Sequence, residues 1–535
     1  MEREMSRLSR RQLLGSAVAT AAAVTLRTPP IHAQKRVQIV RFVAQADLKV
    51  LDPVWTTAYI TRNHGYLVYD TLFGTDETRQ IKPQMVDHST VSADGMKYTF
   101  TLRDGLRWHD GQPVRSEDCV ESLKRWGKKD RFGRLLMAHT GKIASVDRKT
   151  FTLELAERFG PVLDALGKPS SNVPFMMPAR IAATSPNDQI KEIVGSGPFK
   201  FARDEWQPGR QAVYVRNPDY VPRNEAPSGS TGGKKAYLDR VIWRYMPDPN
   251  EVSAALASGD VDWWEVPAHD FLPKIEQNPD LNTFIPDPLG TQGWLQPNHV
   301  HPPFNNKKAR EALLHMMDQV AYLYLALGQS KYYRPCPSIF PCNSPYATTA
   351  GGEPLIKHDL ARARQLVKES GYDGRPVVVI HVTDFPFLDK AALVTRQRLE
   401  AIGFNVDLKV MDWSTSVLVR DSKEPPSKGG WNVLHTWWRA DDVISPAVHF
   451  GVSGAGPDAW FGWPNIPQLG KLTTDWLRAT DQTTRKQLAA DIQRVALGEV
   501  AYVPWGEWIW PTAFRKNVQG ILKFTAPLFW NVTIT

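Results

Sequence analysis

The sequence has few of the features on which catalytic, membrane-bound and nucleic-acid-binding proteins depend. Its 535 residues include 3 cysteines, and no apolar run reaches the ~20 residues that span a bilayer. His-Glu-x-x-His, Gly-x-Ser-x-Gly and Cys-x-x-Cys-His motifs are lacking, which argues against zinc proteases, serine hydrolases and c-type haem proteins. The net charge is +9, but Lys and Arg are scattered among the acidic residues. We therefore expect no enzymatic activity, no cofactor and no nucleic-acid partner.

The first 33 residues have the pattern of an export signal. Arg10 and Arg11 precede the uncharged run "LLGSAVATAAAVTL", which ends at Leu26 and is too short to cross a bilayer. The arginine pair and the modest hydrophobicity are typical of twin-arginine export. An ordinary N-terminal helix would leave the arginine pair without a role. The pattern predicts that residues 1–33 are a twin-arginine signal peptide, cleaved after Ala33, and that the mature protein is periplasmic.

Two of the cysteines lie close together in a proline-rich loop, "RPCPSIFPCNSP". Cys336 and Cys342 are predicted to form a disulfide, because an oxidising compartment favours it. Free or metal-bound thiols are the alternative, although two cysteines without a neighbouring histidine are too few for a metal site. Cys119 is expected to be a buried apolar residue on a helix.

Helix and strand signals alternate along the chain. "PFNNKKAREALL" predicts a helix capped by Asn305 or Asn306, and "HDLARARQLVKESGYDG" predicts one that begins near Asp359 and stops at Gly371. The apolar strand "RPVVVIHVT" follows directly. This mixed order predicts an α/β fold.

One segment also carries a hairpin signal. In "KYTFTLRDGLRWHDGQPV", alternating apolar residues lie on both sides of Asp104-Gly105. An Asp-Gly pair between two alternating runs favours a tight turn joining paired strands. The pattern therefore predicts a β-hairpin around residues 98–108.

Seven segments, in this order, resemble the family 5 solute-binding proteins of ABC importers, a group that includes dipeptide-, oligopeptide- and nickel-binding proteins. These segments are "LDP", "YTFTLRDGLRWHDGQPV", "GSGPFKF", "EVSAALASGDVDWW", "PFNNKKAREAL", "DLARARQLVKESGYDG" and "YVPWGEW". The resemblance covers nearly the whole mature chain. It implies an importer component that captures a small peptide and delivers it to a permease and its ATPase in the inner membrane, acting as a monomer.

The resemblance also implies a two-lobed periplasmic binding protein fold of type II, with an extra subdomain and a hinge between the lobes. Residues 34–79, 190–292 and 505–535 would form lobe I, with 80–189 as the extra subdomain. Residues 293–504 would form lobe II. Ligand would be enclosed between the two lobes.

The stretch "TWWRADD" falls where peptide-binding members carry an aspartate that pairs with the α-amino group of the ligand. Asp441 is the best positional match, but the spacing to the following Ser445-Pro446 is one residue longer, so Asp442 is an equal candidate. A carboxylate facing an ammonium group in a desolvated cleft is a strong contact. Arg439 could bind a ligand carboxylate or pair with one of these aspartates.

Aromatic residues are the second set of candidate ligand contacts. Trp437 and Trp438 are adjacent, so in an extended strand they face opposite sides, one towards the core and one towards the cleft. Trp508 is expected to contact ligand beside Thr57 and Tyr59. Such rings also suit a non-peptide organic solute, such as an oligosaccharide, an opine or an aromatic compound, which is the alternative ligand class.

A metal-binding function is the third hypothesis. His299 and His301 stand two residues apart in "NHVHPPF". Nickel-binding members exist in the family that the sequence resembles. No further ligands cluster beside these histidines in the sequence, so we expect no metal site.

Overall fold

The computed structural model describes residues 37–328, 331–479 and 481–535. Residues Gln38–Thr535 form one compact unit. The predicted signal peptide, with Arg10 and Arg11, lies outside the described residues. Within them, no helix has both the length and the apolar character that crossing a membrane requires.

Short strands, two to seven residues long, are distributed along the described chain. In chain order they are β1 Ile39–Val43, β2 Phe73–Thr75, β3 Ile81–Pro83, β4 Val86–Val91, β5 Lys97–Leu102, β6 Thr140–Ser145, β7 Thr150–Leu155, β8 Phe199–Phe201, β9 Gln211–Arg216, β10 Arg240–Arg244, β11 Trp263–Trp264, β12 Leu281–Phe284, β13 Thr291–Pro297, β14 Tyr333–Arg334, β15 Val377–Val382, β16 Val406–Met411, β17 Val433–Arg439, β18 Val503–Trp508, β19 Thr512–Arg515, β20 Val518–Gln519 and β21 Thr533–Ile534.

The α-helices alternate with these strands, as the α/β prediction requires. They are α1 Tyr59–Val68, α2 Ser116–Lys129, α3 Arg131–Ala138, α4 Val162–Leu166, α5 Ala179–Ala182, α6 Pro249–Ser258, α7 Leu272–Glu276, α8 Lys307–Met316, α9 Gln319–Leu327, α10 Glu353–Ile356, α11 Leu360–Glu369, α12 Pro386–Ile402, α13 Trp413–Val419, α14 Pro467–Arg478 and α15 Gln482–Gly498.

Two mixed sheets organise the molecule. The first has seven strands in the order β12-β19-β11-β1-β10-β9-β8, with β1 parallel to β10 and β11. The second has six strands in the order β14-β18-β13-β17-β15-β16, with β15 parallel to β16 and β17. In both sheets, the carboxyl ends of the parallel strands point towards the segments that carry the candidate site residues. This edge is where open α/β sheets place ligands.

The chain passes between the two sheets through two short connections. Residues 285–290 join β12 of the seven-stranded sheet to β13 of the six-stranded sheet, and residues 509–511 join β18 to β19. Strand β18 continues the six-stranded sheet as far as Trp508, which pairs with Thr291. Paired short connections of this kind are where two lobes can pivot.

The predicted hairpin around Asp104-Gly105 does not form. Strand β5 ends at Leu102, and it is already paired on one side with β4 and on the other with β7 in a four-stranded antiparallel sheet. The residues after the turn make only an isolated bridge between Arg107 and Pro113. The prediction was wrong because more distant strands occupy both edges of β5.

The predicted helix starts around the second sheet are confirmed. The side chain of Asn306 accepts a hydrogen bond from the Lys308 backbone at the start of α8, and Asp359 does the same for Arg362 in α11. These caps satisfy backbone donors that the first helical turn leaves without partners.

Cys336 and Cys342 are joined by a disulfide, with their Cα atoms 6.0 Å apart. Cys119 is free and fully buried. The loop closed by the disulfide also donates hydrogen bonds to the surrounding structure, because Gln319 accepts from the Cys336 backbone and Glu507 accepts from the Cys342 backbone.

Opening this disulfide should destabilise the protein moderately. A loop of this length restricts the unfolded chain by about 2 kcal/mol. We therefore expect reductant, or the Cys336→Ser/Cys342→Ser double variant, to lower the unfolding free energy by roughly that amount. Urea titration followed by tryptophan fluorescence measures it. The double variant is the control for reductant, which should leave its midpoint unchanged. An unchanged wild-type midpoint after full reduction would contradict the prediction.

Candidate functional site

The candidate site lies between the two sheets, where the segment after β1 faces the end of β17. Thr57 and Tyr59 come from the start of α1, whereas Trp437 comes from β17, and Trp413 and Arg420 come from α13 and the residue that follows it. Together with Ala58, Thr436, Trp438 and Trp460, these residues enclose a cavity of about 10 Å³. That is room for about one water molecule, so the two sides of the cleft lie close together at this point.

Arg420 is the most unusual residue of this cavity. It is only 2% exposed, yet no Asp or Glu in the described part of the chain forms an ion pair with it. Its Nη2 donates to the Thr57 hydroxyl at 3.1 Å, and its buried Nε has no partner. Burial lowers the pKa of the guanidinium to about 9, and the neighbouring Asp421 opposes this only in part.

Aromatic rings surround this guanidinium. Its central carbon lies 4.6 Å from the centre of the Phe461 ring, 5.6 Å from that of Trp460 and 5.7 Å from that of Trp413. Ring faces attract a cation, but they replace only part of its lost hydration. The arrangement leaves Arg420 ready to bind an anion. The sequence analysis missed this residue, because the groups around it come from distant parts of the chain.

Asp442 is the more enclosed of the two predicted aspartates. It is 1% exposed, and its Oδ2 accepts from the Tyr59 hydroxyl at 2.7 Å and the Ser170 hydroxyl at 2.8 Å. Its Oδ1 is buried without a hydrogen-bond partner. Burial raises the pKa of this carboxyl group, against the opposing effect of Lys168, Tyr59 and Arg62. Asp442 therefore keeps one oxygen able to accept from a cationic donor.

Asp441 is held by an ion pair. Its Oδ1 contacts Nη1 of Arg79, and Nη2 of the same arginine contacts Asp287 at 2.7 Å. Asp287 belongs to the 285–290 connection between the sheets. Asp441 thus ties the end of β17 to that connection through Arg79, although its Oδ2 also lacks a partner.

Arg439 is buried, and it forms no ion pair with Asp441 or Asp442. Its backbone nitrogen donates to the Tyr59 hydroxyl at 2.6 Å, and its side-chain Nε has no partner. Burial lowers the pKa of its guanidinium, while Asp287 and Glu265 partly oppose this. It faces a separate small cavity that Glu265 also lines.

The two adjacent tryptophans of β17 enter different aromatic clusters, and both are buried. Trp437 contacts Tyr59, Trp413, Phe385 and Phe387 in the cleft. Trp438 contacts rings inside the six-stranded side, namely Trp294, Phe450 and Trp460. Both residues also line the Arg420 cavity.

Trp508 lies apart from that cavity. It stacks on Trp505, with ring centres 4.7 Å apart, and it contacts Phe387 and Trp510. The structure therefore brings Thr57 and Tyr59 together with Trp437 and Trp438, but it places Trp508 elsewhere on the same sheet edge.

Both candidate metal-binding histidines bond to backbone carbonyls. His299 Nε2 lies 3.1 Å from the Val500 oxygen, and His301 Nε2 lies 2.9 Å from that of Lys423. Burial lowers the pKa of His299 to about 3. Within the described residues, the one group of three potential metal ligands is Cys336, Cys342 and Glu507, in which the disulfide occupies both sulfurs.

A cleft between two sheets that are joined by two short connections, with buried charged side chains along it, is typical of a protein that captures solutes. The model for the bacterial extracellular solute-binding proteins, family 5 (Middle), matches residues 80–454. The chain belongs to this family, and it has the mixed α/β periplasmic binding protein fold. It is a solute-binding protein and not an enzyme.

Known proteins similar to this chain span almost its whole length. The probable peptide ABC transporter periplasmic-binding protein y4tO of Sinorhizobium fredii is 37% identical over 98% of this chain and 99% of its own. The solved structure of AgaA from A. tumefaciens R10 with agropinic acid has a TM-score of 0.78 at 23% identity, covering 93% and 99%. That of Helicobacter pylori DppA with the peptide STSA has a TM-score of 0.77 at 21% identity, covering 93% and 98%.

Proposed function

We propose that this protein is the solute-capturing component of an ABC importer, and that its ligand is a small peptide with free ends. After export to the periplasm by the twin-arginine route, it would close on the peptide and deliver it to a permease and its ATPase in the inner membrane. The observation that carries this proposal is Arg420, a buried guanidinium in the cleft that forms no ion pair with an acidic residue in the described part of the chain.

The charges of the cleft suit the two ends of a peptide. A ligand carboxylate at Arg420 would accept two parallel charge-assisted hydrogen bonds from the guanidinium. It would also neutralise the charge that is now buried there. Asp442 Oδ1 is available for an ammonium group. Strand β17 leads to Asp442 and helix α13 leads to Arg420, so a regular element precedes each contact.

Closure about the two connections is part of the proposal. We propose the predicted division into lobe I (34–79, 190–292 and 505–535, with 80–189 as its extra subdomain) and lobe II (293–504), with its two boundaries moved to the connections at 285–290 and 509–511, because β13 and β18 pair within the six-stranded sheet. Direct contacts cross between the proposed lobes, including Lys49 with Asp412 at 2.9 Å and Tyr245 with Asp384 at 3.0 Å. Such polar contacts would form on closing and break on release.

The similar proteins support this proposal in different degrees. The y4tO protein, at 37% identity, is described as a probable peptide transporter component, which favours a peptide. The fold itself holds a peptide in DppA and agropinic acid in AgaA, so the fold does not select the ligand.

A second candidate function is the capture of a non-peptide organic acid, such as an opine or an aromatic acid. The observation that favours it is the ring of Trp413, Trp460 and Phe461 around Arg420, which would hold a flat acid by stacking. In that case the carboxylate contact would remain, and Asp442 would bind hydroxyl groups.

Calorimetric titration with blocked and unblocked peptides tests the proposal. We expect mature protein to bind tri- or tetrapeptides with free ends, and to bind the C-amidated and N-acetylated forms at least about tenfold more weakly, because each block removes one charge-assisted contact. A ligand that tolerates N-acetylation but not amidation would favour the organic-acid alternative. Equal affinity for all three forms would contradict the proposal.

A further inference from the structure

A second and larger cavity lies between the same two sheets. Its volume is about 260 Å³, compared with about 10 Å³ for the cavity at Arg420. Phe385 and Phe387 line it, and both contact the Trp437 ring, which lines the Arg420 cavity. The two cavities are therefore separated by a single layer of aromatic rings. An engineered cavity of about 150 Å³ is enough to bind benzene, so the larger one has room for a ring.

The walls of this cavity come from the ligand-binding edges of both sheets. Residues that follow the neighbouring strands β10, β1 and β11 form one side, and residues at the start of α12 form the other. The carboxyl ends of adjacent parallel strands are where α/β sheets bind ligands. The second cavity is therefore part of the cleft between the sheets in which we propose that solute binds.

Aromatic and unpartnered polar groups line the cavity together. The rings are those of Trp264, His269, Phe271, Phe385, Phe387 and Trp510. Three buried polar atoms on its walls have no hydrogen-bond partner in the described part of the chain: Gln45 Nε2, Trp510 Nε1 and His269 Nδ1.

His269 Nδ1 can act as an acceptor. Its Nε2 lies 3.0 Å from the Ile509 carbonyl and donates to it, which leaves Nδ1 with a lone pair in the neutral ring. These donors and this acceptor lie buried behind the cavity surface, so the surface itself is formed mainly by the rings and apolar side chains.

The charged groups at this cavity are already paired. Lys390 contacts Asp270 at 3.3 Å, joining α12 to the segment after β11. The carboxylate of Asp384 accepts from the Tyr245 hydroxyl and the Trp413 backbone nitrogen. The charges of Lys390 and Asp270 offset each other, and both oxygens of Asp384 already accept hydrogen bonds, so the compartment favours a neutral group.

We propose that this cavity, which we call the aromatic compartment, receives an aromatic side chain of the bound peptide. The inference rests on the proposed function, in which Arg420 binds the peptide carboxylate one ring layer away. The compartment makes the protein selective for peptides that contain Phe, Tyr or Trp. Peptides that carry only small side chains leave its rings without contacts, and a charged side chain would lose hydration there.

The first test compares peptides of one length with free ends. Tri-alanine is titrated beside its variants in which one residue, at each position in turn, is Phe, Tyr or Glu. We expect a Phe or Tyr at one position to strengthen binding by about tenfold or more, and Glu there to give no gain. Equal affinities for the alanine and aromatic peptides would overturn the inference while leaving the proposed function intact.

A cavity-filling variant makes the test specific to this site. Ala268 lines the compartment and is partly exposed to it, so Ala268→Phe should occupy the space. The matched control is Ala202→Phe, at a similarly exposed alanine of the seven-stranded side outside the cavity. We expect Ala268→Phe to abolish the aromatic preference and to leave tri-alanine binding within about threefold. An equal loss for both ligands, or an unchanged preference, would overturn the inference.

A third probe separates this inference from the proposed function. 3-Phenylpropionate carries a carboxylate and a ring but no amino group, and propionate is its control. If no peptide binds, millimolar binding of 3-phenylpropionate that Ala268→Phe removes would support the compartment without the peptide. Failure of peptides and of 3-phenylpropionate alike would overturn both.

Discussion

Replacing Arg420 with methionine should weaken the binding of a free-ended peptide by about 30-fold to more than 1,000-fold, since losing one side of a buried charged pair costs about 2–5 kcal/mol. Methionine keeps an unbranched apolar stem against Trp413, Trp460 and Phe461 while removing the charge. Isothermal titration with the free acid and its C-terminal amide measures the effect. The variant should no longer distinguish the two ligands.

The same substitution should have the opposite effect on the empty protein. Arg420 is charged at neutral pH, and its pKa is lowered to about 9 by burial, so the folded state carries a cost that the unfolded state does not. We expect Arg420→Met to raise the unfolding free energy without ligand by about 1 kcal/mol or more.

Arg310 supplies the matched control for both effects. It is a buried arginine whose side chain donates to the backbone carbonyls of Phe304 and Glu499, away from the cleft. Arg310→Met should lower stability and should preserve the discrimination between acid and amide. If Arg420→Met retained that discrimination, the carboxylate role of Arg420 would be refuted.

Replacing Asp442 with asparagine should weaken ligands with a free amino group by about 10- to 150-fold, because a hydrogen bond to a charged group contributes about 1.5–3 kcal/mol. Asparagine can still accept hydrogen bonds from Tyr59 and Ser170, so the local structure should persist. Binding of the N-acetylated peptide should change little. Titration of both ligands with both proteins measures the coupling.

The pH dependence provides an independent check on Asp442. Burial raises its pKa above the usual 3.8, and an ammonium ligand needs the ionised form. Wild-type affinity for a free-amino ligand should therefore fall with decreasing pH earlier than an ordinary aspartate would predict, whereas Asp442→Asn should show no such decline. Asp441→Asn is the comparison, and it should weaken acetylated and free ligands alike through loss of the Arg79 contact. If Asp441→Asn instead weakened only the ligand with a free amino group, Asp441 rather than Asp442 would be the residue that binds that group.

Local signals in the sequence were sufficient for much of the fold. The caps at Asn306 and Asp359 depend on side chains that bond to backbone two or three residues away, so they can be recognised without tertiary information. The hairpin at Asp104-Gly105 failed because a turn signal does not report which strands compete for the same edge. Strand β7, some 50 residues later, pairs with β5 instead.

The candidate site was predicted only in part, for a similar reason. The stretch "TWWRADD" attracted attention because its charges and rings are adjacent in sequence, and Thr57 and Tyr59 do lie beside it. Arg420 directly follows the short helix α13, and its environment depends on Thr57, 363 residues away, and on rings from another segment. The Arg79 partner of Asp441 is equally distant in the chain. Contacts of this range leave no local pattern.

Arg420 also has a consequence for the timing of transport. One wall of its cavity, Thr57 to Tyr59, lies at the start of α1 on the side of the seven-stranded sheet, so parting the two sides would return the guanidinium to water. Closing the ligand-free protein would then cost the free energy of burying the charge, and a bound anion would lower that cost. The buried charge would therefore favour the open form of the ligand-free protein. A membrane complex that recognises only the closed form would then hydrolyse less ATP without transporting solute.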